Sequence, residues 1–211
     1  MTVIVVSNRV ARPRVDEPVT GGLAAALLPA VKNSGAIWVG ASGRLADSPG
    51  KDSLAEIEAH GTGAIATLDM PAEHYRGFYE GFANSVLWPA LHSRTDLIRC
   101  NPEDFASYRA INAFMARALL RFVRPDAVFW IHDYHYLTLG EELRQCGLTR
   151  PIGLFLHTPF PSWAVFASVP QHRELAAAML AYDLIGFQTD HDAANFSDYL
   201  AREFGLTRDE A

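Results

Sequence analysis

The stretch that decides the fold is residues 125–161, PDAVFWIHDYHYLTLGEELRQCGLTRPIGLFLHTPFP. Two apolar runs, Ala127 to Ile131 and Ile152 to Leu156, flank residues 136 to 146, which read as a helix closed by Gly147. Neither run alternates apolar with polar. Continuous apolar strands are those buried on both faces, and in α/β folds they pair in parallel across helical crossovers. The same rhythm extends both ways along the chain. Towards the C-terminus, Leu175 to Ala181 reads as a helix, Leu184 to Phe187 as a strand and residues 190 to 204 as a helix. Towards the N-terminus, Phe105, Tyr108, Ile111, Met115, Leu119 and Phe122 recur every three or four residues and make one apolar stripe over 103–124. Asn101 suits its N-cap, Pro102 its first position, and Pro125 stops it.

Further upstream, Val3 to Val6 is a β-branched strand ended by Ser7-Asn8-Arg9, and Gly21-Gly22 opens a small-residue helix over Leu23 to Val31. Ile37 to Val39 is a strand ended by Gly40, Ser42 and Gly43; Leu54 to Ala59 fits a helix; Ala64 to Leu68 is another strand. The expectation is an α/β fold: one doubly wound, mostly parallel Rossmann-like sheet over residues 1–211.

Composition narrows the function. The chain has 211 residues, 49% of them hydrophobic and 20% charged, which excludes a disordered chain. Lys and Arg number 18 against 24 Asp and Glu, a formal charge of -6, so a nucleic-acid groove is not expected. One local cation can still hold a small anion. Cys100 and Cys146 stand in no metal spacing and read as two buried thiols of a reducing compartment. With no signal-peptide pattern and no run of about 18 apolar residues, a soluble cytoplasmic protein is the default.

Ligands of open parallel sheets bind beyond the carboxyl ends of the strands. Three such ends carry chemistry here: Asn8 and Arg9; His132, Asp133 and His135; His157 and Thr158 before Pro159-Phe160-Pro161. Arg9 can grip a phosphate or carboxylate with its planar fork, or hold a structural ion pair; its place at the ligand edge favours the first. Asp133 suits hydrogen bonds to sugar hydroxyls or a local base role. His132 reads as a satisfied core histidine, and no carboxylate cluster joins His132 and His135, so no metal is expected. Gly21-Gly22 before a helix suits a phosphate against free backbone amides, or equally a plain helix-start turn. No GxGxxG and no P-loop occur. In the aromatic stretch 75–92, Phe78 and Phe82 read as core, while Tyr79 and Trp88 suit a sugar pocket.

Six motifs then carry a resemblance: VVSNRV at 5–10, TGGL at 20–23, FANSVLWPALH at 82–92, WIHDYHYL at 130–137, FLHTPFP at 155–161 and YDLIGFQT at 182–189. Together they resemble the trehalose-6-phosphate synthases of glycosyltransferase family 20, which join UDP-glucose to glucose 6-phosphate. The resemblance implies the N-terminal, acceptor-side domain of a two-domain GT-B enzyme whose C-terminal nucleotide-donor domain is absent from these 211 residues. It implies Arg9 and Tyr79 on the acceptor phosphate, Trp88 along the acceptor sugar, and Asp133 on sugar hydroxyls at the reaction centre. His157 would contact the donor glucose, with Gly21 and Gly22 against the donor phosphates. Asp133 and His157 are thus the residues placed at the chemistry. Retention without a protein nucleophile, no metal and no cofactor are implied too, and the absence of a glycosidase-like carboxylate pair agrees.

One departure is Ser162-Trp163-Ala164 after FLHTPFP, where the family often has a Pro-Glu pair. A second is that the family's phosphate-clamping Arg and Lys have no counterpart, so the chain alone is expected to be inactive. An exposed domain face would favour homo-oligomers. The competing readings are a free-standing sugar-phosphate-binding module and a related transferase for glycerol 3-phosphate or a cyclitol phosphate. Arg9, Tyr79 and Trp88 together favour glucose 6-phosphate.

Overall fold

The structure, a computed structural model, describes residues 1–10, 22–47 and 54–207. Seven strands form one sheet in the order β3-β4-β2-β1-β5-β6-β7. They are β1 (Thr2–Arg9), β2 (Ile37–Ala46), β3 (Leu54–His60), β4 (Gly63–Pro71), β5 (Ala127–His132), β6 (Ile152–Phe155) and β7 (Leu184–Gly186). All pair in parallel except β3, which runs antiparallel to β4. The doubly wound sheet expected from the apolar runs is therefore present, with an antiparallel strand at one edge.

The helix expected over Leu54 to Ala59 is strand β3. Leu, Ala and Glu favour helices intrinsically, but that preference is a fraction of a kcal/mol per residue and tertiary context overrides it. Gly61, at φ 63°, and Thr62 make the two-residue turn of a hairpin whose last pair is His60 with Gly63. Glu56 and Glu58 on this edge strand discourage pairing with another chain. β2 does not end at Gly40 either; it continues to Ala46 past an irregularity between Ala41 and Leu45. The two cysteines are exposed rather than buried. Cys100 precedes the cap of one helix and Cys146 follows another, both surface positions.

Helix α1 (Gly22–Ser34) lies on one face of the sheet, where Leu27, Leu28 and Val31 cover Val5, Trp38 and Ile65. The other face is covered along its length. There pack α2 (Ala72–Arg76), a π-helix (Gly77–Leu87), α3 (Trp88–Leu91), α4 (Pro102–Leu119), α5 (Leu139–Gln145), α6 (Trp163–Phe166), α7 (His172–Met179) and α8 (Asp190–Phe204). α4 is the helix read from the apolar stripe, and the Asn101 side chain accepts from the Glu103 amide as its cap. Among the described residues no helix covers β5, β6 and β7 on the α1 side, so Trp130 is 40% and Leu184 72% exposed. No helix there is long and apolar enough to cross a membrane.

The chain leaves β1 towards β2 with its helix on one face. It proceeds from β5 to β6 and β7 with helices on the other. Winding therefore reverses between β1 and β5, and a crevice opens beyond their carboxyl ends.

Candidate active site

The crevice holds a cavity of about 300 Å³ lined by Ser7, Asn8, Arg9, Gly22, Leu23, Ala24, Trp38, His132, Asp133 and His135. Residues from β1, the start of α1 and the end of β5 thus meet, as the strand ends imply. Gly22 opens α1 against it; Gly21 lies outside the described residues.

Arg9 is the last residue of β1 and its guanidinium stands 5.3 Å from the centre of the Tyr79 ring. Among the described residues no carboxylate pairs with Arg9. Tyr79 is half-buried in a column of rings, stacked on Tyr75 at 5.8 Å and on His135 at 5.8 Å. Burial pushes the Tyr75 hydroxyl up, and the Arg9 guanidinium hydrogen-bonded to it pulls it back. The column so holds one cation on its ring faces at the mouth of the crevice.

Trp88 begins α3 at the far end of the π-helix. It is 43% exposed, and its ring stacks on His92 at 4.1 Å. Tyr79 and Trp88 are nine residues apart. On an α-helix, at about 100° per residue, they would point in opposite directions; an i→i+5 helix of roughly 4.4 residues per turn brings them round to one side. The π-helix docks closely on α4. A Cβ on Gly81 would lie 2.4 Å from the Asp104 carboxyl carbon, and one on Gly77 2.7 Å from the Ser107 hydroxyl. Tyr134 ties the segment to the strand ends by donating to Asn84 Oδ1 at 2.9 Å.

Asp133 follows β5 with φ 75° and ψ 171°, a strained backbone state that side-chain-bearing L-residues rarely adopt and that is essentially confined to glycine. It is over-determined there. Its amide donates to the Phe155 carbonyl at 2.8 Å, and Oδ1 accepts from the amides of Tyr134 at 3.0 Å and His157 at 3.3 Å. Burial raises the Asp133 carboxyl above the usual range, while those amides and the fields of His157 and His92 oppose the rise. His157 and His92, the latter stacked on Trp88, thus lie within electrostatic reach of Asp133.

His157 follows β6; its carbonyl accepts from Gln188 at 2.7 Å. Burial lowers its pKa and Asp133 opposes this. His132, read from sequence as a satisfied core histidine, is buried but not satisfied. Its Nδ1 meets His157 Nε2 at 2.8 Å, and its Nε2 is buried with no partner. Burial lowers its pKa to about 4, and burial with nearby Arg9 lowers that of His135 to about 3. Both rings are neutral at pH 7. The signal that could have found His132 is register: β5 pairs His132 with Phe155, so two histidines end neighbouring parallel strands. Among the described residues no group of His, Cys, Asp and Glu is arranged to hold a metal ion.

The departing segment, Ser162-Trp163-Ala164, enters α6. Trp163 Nε1 donates to Glu203 at 2.7 Å, and Arg202 stands 5.3 Å over the indole, so this loop is fastened to the end of α8.

The family model of glycosyltransferase family 20 matches residues 7–210. A trehalose-6-phosphate synthase of Enterobacter sp. (strain 638) is 38% identical over 204 residues, 97% of this chain and 42% of the relative. One of Sinorhizobium fredii (strain NBRC 101917 / NGR234) is 41% identical over 202 residues, 95% of this chain and 43% of the relative. Among solved structures, the UDP-forming alpha,alpha-trehalose-phosphate synthase from Burkholderia xenovorans in complex with glucose-6-phosphate superposes with a TM-score of 0.90 at 41% identity, covering 99% of this chain and 45% of that one. The E. coli protein bound with UDP-2-fluoro glucose gives 0.86 at 37% identity, covering 96% and 43%. The chain therefore spans less than half the length of the relatives it matches. Its sheet is the Rossmann-like module of a GT-B glycosyltransferase, and the chain belongs to glycosyltransferase family 20.

Proposed function

We propose that this chain forms the acceptor half of a cytoplasmic trehalose-6-phosphate synthase, which transfers glucose from UDP-glucose to glucose 6-phosphate. The observation that carries the reading is Arg9, held on Tyr79 at 5.3 Å without a described carboxylate partner, at the mouth of the switch-point crevice. That is the arrangement a phosphomonoester needs: a forked, always-charged donor on a rigid platform. Trp88 then offers a half-exposed ring to the apolar face of the acceptor sugar. Asp133 accepts from its hydroxyls.

On the donor side, His157 contacts the glucose and the first turn of α1, opened by Gly22, faces the nucleotide phosphates. Transfer proceeds with retention and without a protein nucleophile or metal: the departing phosphate takes the acceptor proton on the same face of the sugar. The groups that stabilise this phosphate belong to the other half of the relatives' length. One preorganised donor of this kind contributes about 3 kcal/mol to a transition state. The 211-residue chain alone is thus a sugar-phosphate-binding module, and its open sheet face favours self-association.

Calorimetric titration of glucose 6-phosphate into the wild type and Arg9→Ala tests the reading. Affinity should fall at least about 100-fold in the variant, since each charge-assisted bond contributes about 1.5–3 kcal/mol. Equal affinities would remove the acceptor site. Tighter binding of glycerol 3-phosphate would shift the acceptor class. UDP release by this chain, at a rate typical of an enzyme, would overturn the half-site reading.

A further inference from the structure

Two histidines meet at the seam of the sheet, and only one of them has a role in the function proposed above. His132 ends β5 and is 1% exposed; His157 follows β6 and is half-buried. Their rings lie 5.1 Å apart at 20°, with His132 Nδ1 and His157 Nε2 separated by 2.8 Å. The His157 main chain is already held on both sides, by Asp133 at its amide and Gln188 at its carbonyl. Its ring is held by His132.

We infer that His132 is a positioning residue that fixes the tautomer of His157, leaving His157 Nδ1–H as the ring's hydrogen-bond donor to the donor sugar. This rests on the synthase reading for the identity of the ligand, and on the geometry of the pair for the tautomer.

A neutral pair joined Nδ1 to Nε2 shares one proton on that line. Burial keeps both rings neutral at pH 7. Two arrangements exist. If His157 Nε2–H donates, His132 must carry its own proton on Nε2, which is buried and has no partner. That leaves a buried N–H with no acceptor. If His132 Nδ1–H donates instead, the one proton of His132 is used in the bond to His157 and the buried Nε2 keeps only a ring lone pair, so no donor is stranded. The second arrangement puts the proton of His157 on Nδ1, for which no described residue supplies an acceptor. A sugar hydroxyl does. This is the ordinary logic by which the partner of one imidazole nitrogen decides what the other nitrogen can do.

The test uses the 211-residue chain with histidine-selective ¹⁵N labelling and two-bond ¹H–¹⁵N spectra at neutral pH, with His157→Gln for assignment. In the wild type, His157 Nδ1 should resonate as a protonated nitrogen and Nε2 as a bare one. His132→Leu should return His157 to the Nε2–H form that free imidazole prefers. His132→Asn, which sets an amide N–H where Nδ1 stood, should restore Nδ1–H. A wild-type His157 protonated mainly on Nε2 overturns the inference, as does a folded His132→Leu protein with an unchanged His157. The wild-type and His132→Asn spectra decide the matter if His132→Leu does not fold. Glucose 6-phosphate titration is scored separately. A chain with the expected tautomer that binds no sugar phosphate keeps the positioning role and loses the synthase reading.

Discussion

Trp38 and Trp130 stand in one row on one face of the sheet, yet they live in different surroundings. The row runs Ile65, Trp38, Val5, Trp130, Gly153, Leu184 across six strands, each paired with the next. Its first three members are 2%, 0% and 3% exposed; Trp130 is 40% and Leu184 72% exposed. Cover is lost between Val5 and Trp130, where the winding reverses. The crossover from β1 puts α1 over the first half of the row, while those from β5 and β6 put their helices on the opposite face. A right-handed crossover permits nothing else. The lesson is that the cavity and the uncovered face have one cause. Reversal opens the crevice beyond the strand ends, and it also strips one face of half the sheet.

The largest expected effect lies under α1. Trp38→Ala should lower stability by about 3–5 kcal/mol, the usual cost of a large cavity, and it also removes the donor to Ser7 Oγ, which accepts from Trp38 Nε1 at 2.8 Å. Urea unfolding reads this directly. A loss near 1 kcal/mol would mean that α1 collapses into the space and the covered half is softer than its packing suggests.

Next comes acid, which acts on the seam. His132 and His135 have folded pKa values of about 4 and about 3 against 6.5 for the free group, so the unfolded chain binds protons first. The stability contributed by keeping these rings neutral is complete above pH 6.5 and is lost as pH falls towards those values. The slope is about 1.4 kcal/mol per pH unit for each ring. Urea midpoints at pH 7, 6 and 5 should show it, and His132→Asn should make the slope shallower. A flat profile would show that both rings reach solvent.

Asp133→Asn should go the other way, raising stability by about 1 kcal/mol while weakening sugar binding. It removes a carboxyl that burial disfavours and keeps an acceptor for the two amides, at a backbone strain the two side chains share. An unchanged or lower melting temperature would show that the charge is well solvated by its amides.

The smallest effect belongs to the open face. Trp130→Ala should cost under about 1 kcal/mol, as exposed positions do, and Leu184→Lys should leave stability unchanged while shifting sedimentation towards monomer. If Trp130→Ala costs as much as Trp38→Ala, another copy of the chain covers this face in solution.

Much of this was legible in the residues. Continuous β-branched and aromatic runs gave the parallel strands, and Asn101-Pro102 with the apolar stripe gave α4 with its cap. Arg9, Asp133 and His157 could be placed at the ligand edge because each ends or follows a strand, and strand ends converge in a parallel sheet. Edge strand β3 was hidden, since LAEIEAH has helix-forming composition and pairs only because β4 has a free edge. The exposure of Cys100 and Cys146 was hidden too, because burial of a thiol depends on where helix ends emerge. Tyr79 and Trp88 could be picked by residue type, but their alignment could not, because a 3.6-residue period sets them on opposite sides. His132 escaped because its partner is fixed by register between strands and not by local spacing.

The π-helical winding has one more consequence, and it concerns insertions and deletions. Between Tyr79 and Trp88 the helix needs its present number of residues more than it needs most of their identities. Deleting one residue there would let the segment rewind with α-helical hydrogen bonds and little loss of helix. It would also leave Trp88 about 80° round the helix from Tyr79, where the present winding sets the two on one side. The protein would stay folded with its two rings out of line, so this stretch tolerates changes of side chain better than changes of length.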